Sequence, residues 1–113
     1  MRFKPGVVVV SMHPEVAALI DNGSELDVIF GDYAGRDCII TGARDGKHGG
    51  ESYVGGSGHY RGRAIDLRTK DLDHITTTGI ASALGERLGD DWFVLVESTH
   101  IHLEYDEVHR YAR

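Results

Sequence analysis

Between Gly42 and Gly62 the chain gathers many of its fifteen glycines into one polar stretch. Glycine costs the most backbone entropy to order and brings no side chain to a core, so helix and strand are both disfavoured here. The stretch over 43–60 is also too long for a simple connector, which makes it a loop of the kind that carries function. With only two prolines in the chain, it is not part of a disordered low-complexity tract. A chain of 113 residues fits one domain, 1–113, so the core must come from the segments flanking this loop.

Those flanks carry readable patterns. Val7 to Val10 form a β-branched run expected as a buried strand. His13-Pro14-Glu15 opens a helix, with Val16, Leu19 and Ile20 on one face and Gly23 as its stop. Residues 26–30 fit either a strand or a helix end, and 37–41 read as a strand containing Cys38 as a small buried hydrophobe. Over 63–68 the residues alternate, Ala64 and Asp66 on one face, Ile65 and Leu67 on the other. Ile80, Leu84 and Leu88 predict a helix over 76–88 ending at Gly89, with Asp71 and Asp73 in the turn that starts it. Residues 92–96, with Trp92 as an apolar anchor, and 100–105 are expected as strands, either one bent strand or a hairpin. The pattern predicts an α+β fold: a small, mainly antiparallel sheet with two or three helices packed against it.

Charge narrows the function. A formal net charge of −6 disfavours a nucleic-acid binder, which needs a basic face, and a polybasic membrane-surface protein. No stretch is long and apolar enough for membrane insertion, and the Val7 to Val10 run is too short for a secretory signal. The expectation is synthesis without a signal peptide and a cytoplasmic location. One cysteine permits neither an internal disulfide nor a cysteine zinc cluster.

Two segments carry chemistry: Ser57-Gly58-His59-Tyr60-Arg61-Gly62-Arg63-Ala64-Ile65-Asp66, and Glu97-Ser98-Thr99-His100-Ile101-His102-Leu103-Glu104. Catalytic zinc takes three nitrogen or oxygen ligands and leaves a fourth position to water. A histidine at the loop end, an aspartate on a strand and a histidine on a neighbouring strand supply such a set for one zinc ion. His100 and His102 point to one face of their strand, so one can bind metal while the other faces its water.

These segments resemble the zinc peptidases that cleave D-Ala-D-Ala or L-alanyl-D-glutamate bonds of bacterial cell walls. The family's Ser-x-His and x-x-Gly-x-Ala-x-Asp are matched by Ser57, His59, Gly62, Ala64 and Asp66. The resemblance implies the D-Ala-D-Ala carboxypeptidase/hedgehog-like fold, with zinc on the sheet beneath the glycine-rich loop. It implies His59 and Asp66 as metal ligands, Arg44 as the cation facing the scissile carbonyl, and Ser57 as a hydrogen-bonding support for substrate or loop. The family's His-x-Glu and His-x-His endings favour His102 as third ligand; its Glu-x-x-His ending selects His100, with Glu97 as base. With His102 as ligand, Thr99 stands where an acidic base is expected, leaving proton transfer to His100 or Glu97.

Taken singly, His59 fits a loop histidine and Asp66 an exposed strand residue; the shared spacing with Gly62 and Ala64 is what favours metal. Glu104 is placed to orient a ligand histidine. His13, His48, His74 and His109 read as surface or capping residues, and Arg61, Arg63 and Arg68 as solvated or carboxylate-binding. The implied function is a zinc metallopeptidase acting on peptidoglycan stem or crosslink peptides with D-amino acids, as in a phage lysis enzyme or an intracellular bacterial peptidase. The alternative is a non-catalytic, metal-stabilised binding or structural module, which the absent acid at Thr99 keeps open.

Overall fold

The computed structural model describes residues 1–7, 12–21, 24–43 and 62–106. Along the chain run β1 (Arg2–Phe3), α1 (Pro14–Asp21), α2 (Ser24–Ala34), β2 (Ile39–Gly42), β3 (Ala64–Arg68), α3 (His74–Leu88), β4 (Trp92–Val96) and β5 (His100–Tyr105). The strands form one sheet in the order β1-β2-β3-β5-β4. β1 pairs parallel with β2, and every other pairing is antiparallel. The fold is α+β, as the hydrophobic pattern predicts.

All three helices contribute to one buried cluster. Val16 and Leu19 of α1, Leu26, Ile29 and Phe30 of α2, and Ile80 and Leu84 of α3 meet Ile40, Ile65, Leu67, Ile101 and Leu103 of the sheet. Burying a side chain of this size contributes about 1.5–3 kcal/mol, so this one-sided core holds the sheet to its helices. The opposite face of β3 and β5 carries the polar residues.

Residues 26–30 resolve as helix because Leu26, Ile29 and Phe30, spaced for a helical face, are buried while Val28 is 46% exposed. A strand would have put Val28 on the face of Leu26 and Phe30. α3 starts slightly before 76, at His74, because Asp73 caps it, accepting from the Thr76 amide at 2.7 Å. Gly89 ends it, its amide donating to the Gly85 carbonyl. Asp71 lies in the turn just before it, as expected, and there takes two bonds from Arg36. Residues 92–96 and 100–105 form a hairpin, closed by the Glu97 amide on the His100 carbonyl at 2.8 Å.

One expectation changes and two are refined. Val7 lies in no strand, residues 8–10 fall outside the described set, and the strand β1 comes earlier, held by Arg2 and Lys4 amides on the Cys38 and Ile40 carbonyls. Trp92 packs against the core as an anchor but is only half-buried on the edge strand β4, edge-on to Tyr105 at 5.3 Å. Cys38 just precedes β2 and is fully buried; burial, with the charge of Asp27, pushes its thiol up to about 12 and leaves it inert. Gly23 and the loop over 44–60 lie outside the described residues. Among the described residues no helix is long and apolar enough to cross a membrane.

Candidate metal centre

The site follows from strand alternation and register. Ile65 and Leu67 point into the helical core, which turns Ala64, Asp66 and Arg68 to the other face of β3. Ile101 and Leu103 do the same on β5, turning out His100, His102 and Glu104. The two strands pair with Asp66 opposite His102, Ala64 opposite Glu104 and Arg68 opposite His100. Directly opposed residues hold their Cβ atoms about 4.5–5.5 Å apart, so the register itself brings carboxylate to imidazole.

The contacts are short. Asp66 Oδ1 lies 3.3 Å from His102 Nδ1 and 3.6 Å from His100 Nε2. On its far side His102 Nε2 lies 2.9 Å from Glu104 Oε1. His100 Nδ1 is 3.0 Å from the Thr99 hydroxyl. Asp66 is only 8% exposed, whereas the His100 side chain keeps 29% exposure toward solvent. Burial alone would lower the His102 pKa, but the hydrogen bonds to Asp66 and Glu104, with both carboxylate charges, outweigh it and raise it to about 9. Protonated, the imidazolium can donate from Nδ1 to Asp66 and from Nε2 to Glu104.

Small residues make room for this cluster. A Cβ at Gly42, across from Asp66 on β2, would lie 2.8 Å from Asp66 Oδ2. Gly42 thus functions as part of the site, which its place in the strand pattern did not reveal. Gly62 takes φ +71° immediately before β3, a left-handed conformation that favours glycine, and its carbonyl receives the His13 amide at 2.8 Å. Ala64 is fully buried beside it. The Gly-x-Ala-x-Asp spacing is therefore a turn, a small buried residue and a largely buried carboxylate on the face away from the helices, in that order.

Of the sequence-derived site residues, Asp66, His100 and His102 converge, with Glu104 behind His102. Glu97 does not join them. It sits exposed after β4, lining a cavity of about 220 Å³ with Thr69, Leu72, His74 and Thr77, beside α3. Arg44, Ser57 and His59 lie outside the described residues, as do His48 and His109. Of the other histidines, His13 caps α1, its Nδ1 accepting from the Glu15 amide at 3.2 Å.

Among the described residues no group of three His, Cys, Asp or Glu side chains forms a complete metal cage. The donors that do converge suit zinc chemically: an aspartate oxygen beside an imidazole nitrogen whose other ring nitrogen is held by a carboxylate, the arrangement that orients ligand histidines.

A family comparison decides the kinship. The model of the Hedgehog amino-terminal signalling domain matches residues 27–104, about two thirds of the chain, from α2 to Glu104 of the cluster. The chain belongs to this family. The Hedgehog-like fold is related to zinc peptidases and has zinc hydrolase members, in keeping with the sheet and helices described above. The match names the Hedgehog domain rather than the cell-wall peptidases that the motifs resemble. No curated protein and no solved structure matches the chain.

Proposed function

We propose that this Hedgehog-like domain is a zinc-dependent peptidase acting on peptidoglycan stem or crosslink peptides that contain D-amino acids. The observation that carries the reading is the convergence of Asp66 Oδ1 on His102 Nδ1 at 3.3 Å and His100 Nε2 at 3.6 Å, on the sheet face turned away from the core. Asp66 and His102 would hold one zinc ion together with His59, the ligand implied by the Ser57-Gly58-His59 motif. When bound, zinc supplies a polarised water and a Lewis acid for the scissile carbonyl.

The chain's own residues supply the rest. His100, half-exposed next to the ligands, takes a proton from the attacking water and returns one to the leaving amine. For that role Nδ1–H donates to the Thr99 hydroxyl, which leaves the Nε2 lone pair facing the cluster. Thr99 thus supports a histidine base where an acid would otherwise act. Glu97, on the α3 side of the hairpin, is the less suited base. Arg44 would stabilise charge developing on the carbonyl oxygen, and Ser57 would hold substrate or loop backbone.

A second reading has its own support: the matching family is a signalling domain, and His102 is held between two carboxylates, Asp66 and Glu104. There the cluster only stabilises a binding surface. Zinc analysis of reconstituted protein combined with an assay on muropeptides separates the two. About one zinc per chain with release of D-amino acids or free amines supports the peptidase. Stoichiometric zinc without hydrolysis supports the binding module, and no zinc in folded protein sinks the metal centre.

A further inference from the structure

Beside the cluster lies a cavity of about 240 Å³ lined by Lys4, Thr41, Arg68, Lys70 and Thr99. Three cations and two hydroxyls converge there, with no lining acid among the described residues, in a chain whose formal net charge is −6. Asp71, a carboxylate that feels the charge of Arg68, is already engaged: it takes a two-pronged bond from Arg36 Nε and Nη2, each at 2.9 Å. Among the described residues no ion pair forms to Lys4, Arg68 or Lys70. Arg68 Nε is buried and has no hydrogen-bond partner among the described residues, an unmet donor that normally costs stability. A ligand that accepts hydrogen bonds and carries negative charge meets all of these conditions.

The cavity is joined to the metal centre on both sides. Arg68 is two positions along β3 from Asp66 and directly opposite His100, and Thr99 touches His100 Nδ1 at 3.0 Å. Positions two apart on one strand face lie about 7 Å apart. One extended residue of a substrate spans about 3.5 Å. A carboxylate one or two residues beyond a carbonyl held at Asp66 and His102 therefore falls within reach of the cations.

We infer that the Lys4–Arg68–Lys70 cavity is a carboxylate subsite that receives the free carboxyl group of a peptide next to the scissile bond. The inference rests on the peptidase reading and sharpens it, because it selects substrates cut close to a free carboxylate over uninterrupted internal peptide. Arg68 meets the carboxylate from the buried side, Lys4 and Lys70 add charge at the mouth, and the two threonines offer hydroxyl donors.

The test measures equilibrium binding through backbone amide shifts, on zinc-treated and on chelator-treated protein. Its probes are acetyl-D-alanyl-D-alanine, the carboxamide of the same dipeptide, and inorganic phosphate. The free acid is expected to give saturable shifts at Thr41, Arg68, Lys70 and Thr99, and to bind roughly tenfold or more tightly than the carboxamide, the scale of a charge-assisted bond. Arg68→Gln and, separately, the more exposed Lys70→Gln should each shrink that preference, so that a folding defect in one leaves the other to decide. Equal binding of acid and carboxamide, or shifts elsewhere, overturns the subsite. Saturable binding of phosphate without the free acid overturns the carboxylate assignment. Selective binding of the free acid without hydrolysis by zinc-loaded protein upholds the subsite while the peptidase reading fails.

Discussion

Gly42 and Asp66 face each other across β2 and β3 so closely that any side chain at 42 would start 2.8 Å from the Asp66 carboxylate oxygen. The missing Cβ is what lets Asp66 stand upright next to His102 and His100. Gly42→Ala should leave the helical core untouched, since the methyl group meets the carboxylate and not the buried cluster. It should displace Asp66 and weaken zinc binding by about 10–100-fold, the range for losing support behind a ligand. Chelator competition on wild type and variant, with circular dichroism as the folding control, checks this. Equal zinc affinity in the two proteins would remove Gly42 from the site.

How much of this was readable beforehand depends on which force placed each residue. Alternation over 63–68 fixed the faces of Ile65 and Asp66 correctly because one side of β3 is packed and the other is not. The same holds for His100, His102 and Glu104 on β5. Gly42 was not legible, because its role comes from a cross-strand neighbour distant in sequence. Nor was β1, whose parallel pairing uses backbone amides alone. Glu97 illustrates a further limit: the resemblance to a Glu-x-x-His ending implied a place near His100, but the hairpin turn carries its side chain to the α3 flank.

The Arg36–Asp71 bond makes a pH prediction. The Arg36 hydrogen bond holds the Asp71 carboxyl below its ordinary value, against an opposing effect of burial. A depressed folded pKa means the stabilisation is fully present above the unfolded value, about 3.9, and disappears as pH falls through the folded one. Wild type should therefore melt above Asp71→Asn at pH 7, and the gap should close progressively below about pH 4. The Asp71 side chain is 46% exposed, so the gap should also narrow in high salt. Melting curves across pH 3–7 that keep a constant gap would assign the difference to something other than this charge pair.

Helix α3 carries an avoidable weakness. Gly85 lies in its interior, exposed, with nothing within 4 Å of where a Cβ would sit. Gly85→Ala should therefore stabilise the fold by about 0.5–1 kcal/mol through helix propensity and a less entropic unfolded chain. Gly79 is the control, since a Cβ there would lie 2.8 Å from the Tyr33 ring. Its alanine variant should gain less or lose stability, as the ring must give way. Urea titrations with unchanged m-values report both, and an equal gain at the two positions would contradict the packing difference.

The last prediction separates the two histidines that share the β5 face. His102 touches Asp66 with one ring nitrogen and Glu104 with the other, so it is fixed in orientation and best suited to be a ligand. His100 is more exposed, held at Nδ1 by Thr99 with Nε2 a looser 3.6 Å from Asp66, and best suited to move a proton. His102→Ala should abolish zinc binding and activity together, and it leaves Asp66 and Glu104 without the imidazole between them. His100→Ala should retain most of the zinc and lose a factor of roughly a hundred to ten thousand in rate, the usual worth of a general base. Zinc titration and turnover on the same preparations read both effects. If His100→Ala loses the metal and His102→Ala keeps it, His100 is the ligand, and Glu97 must swing from the α3 flank to act as base.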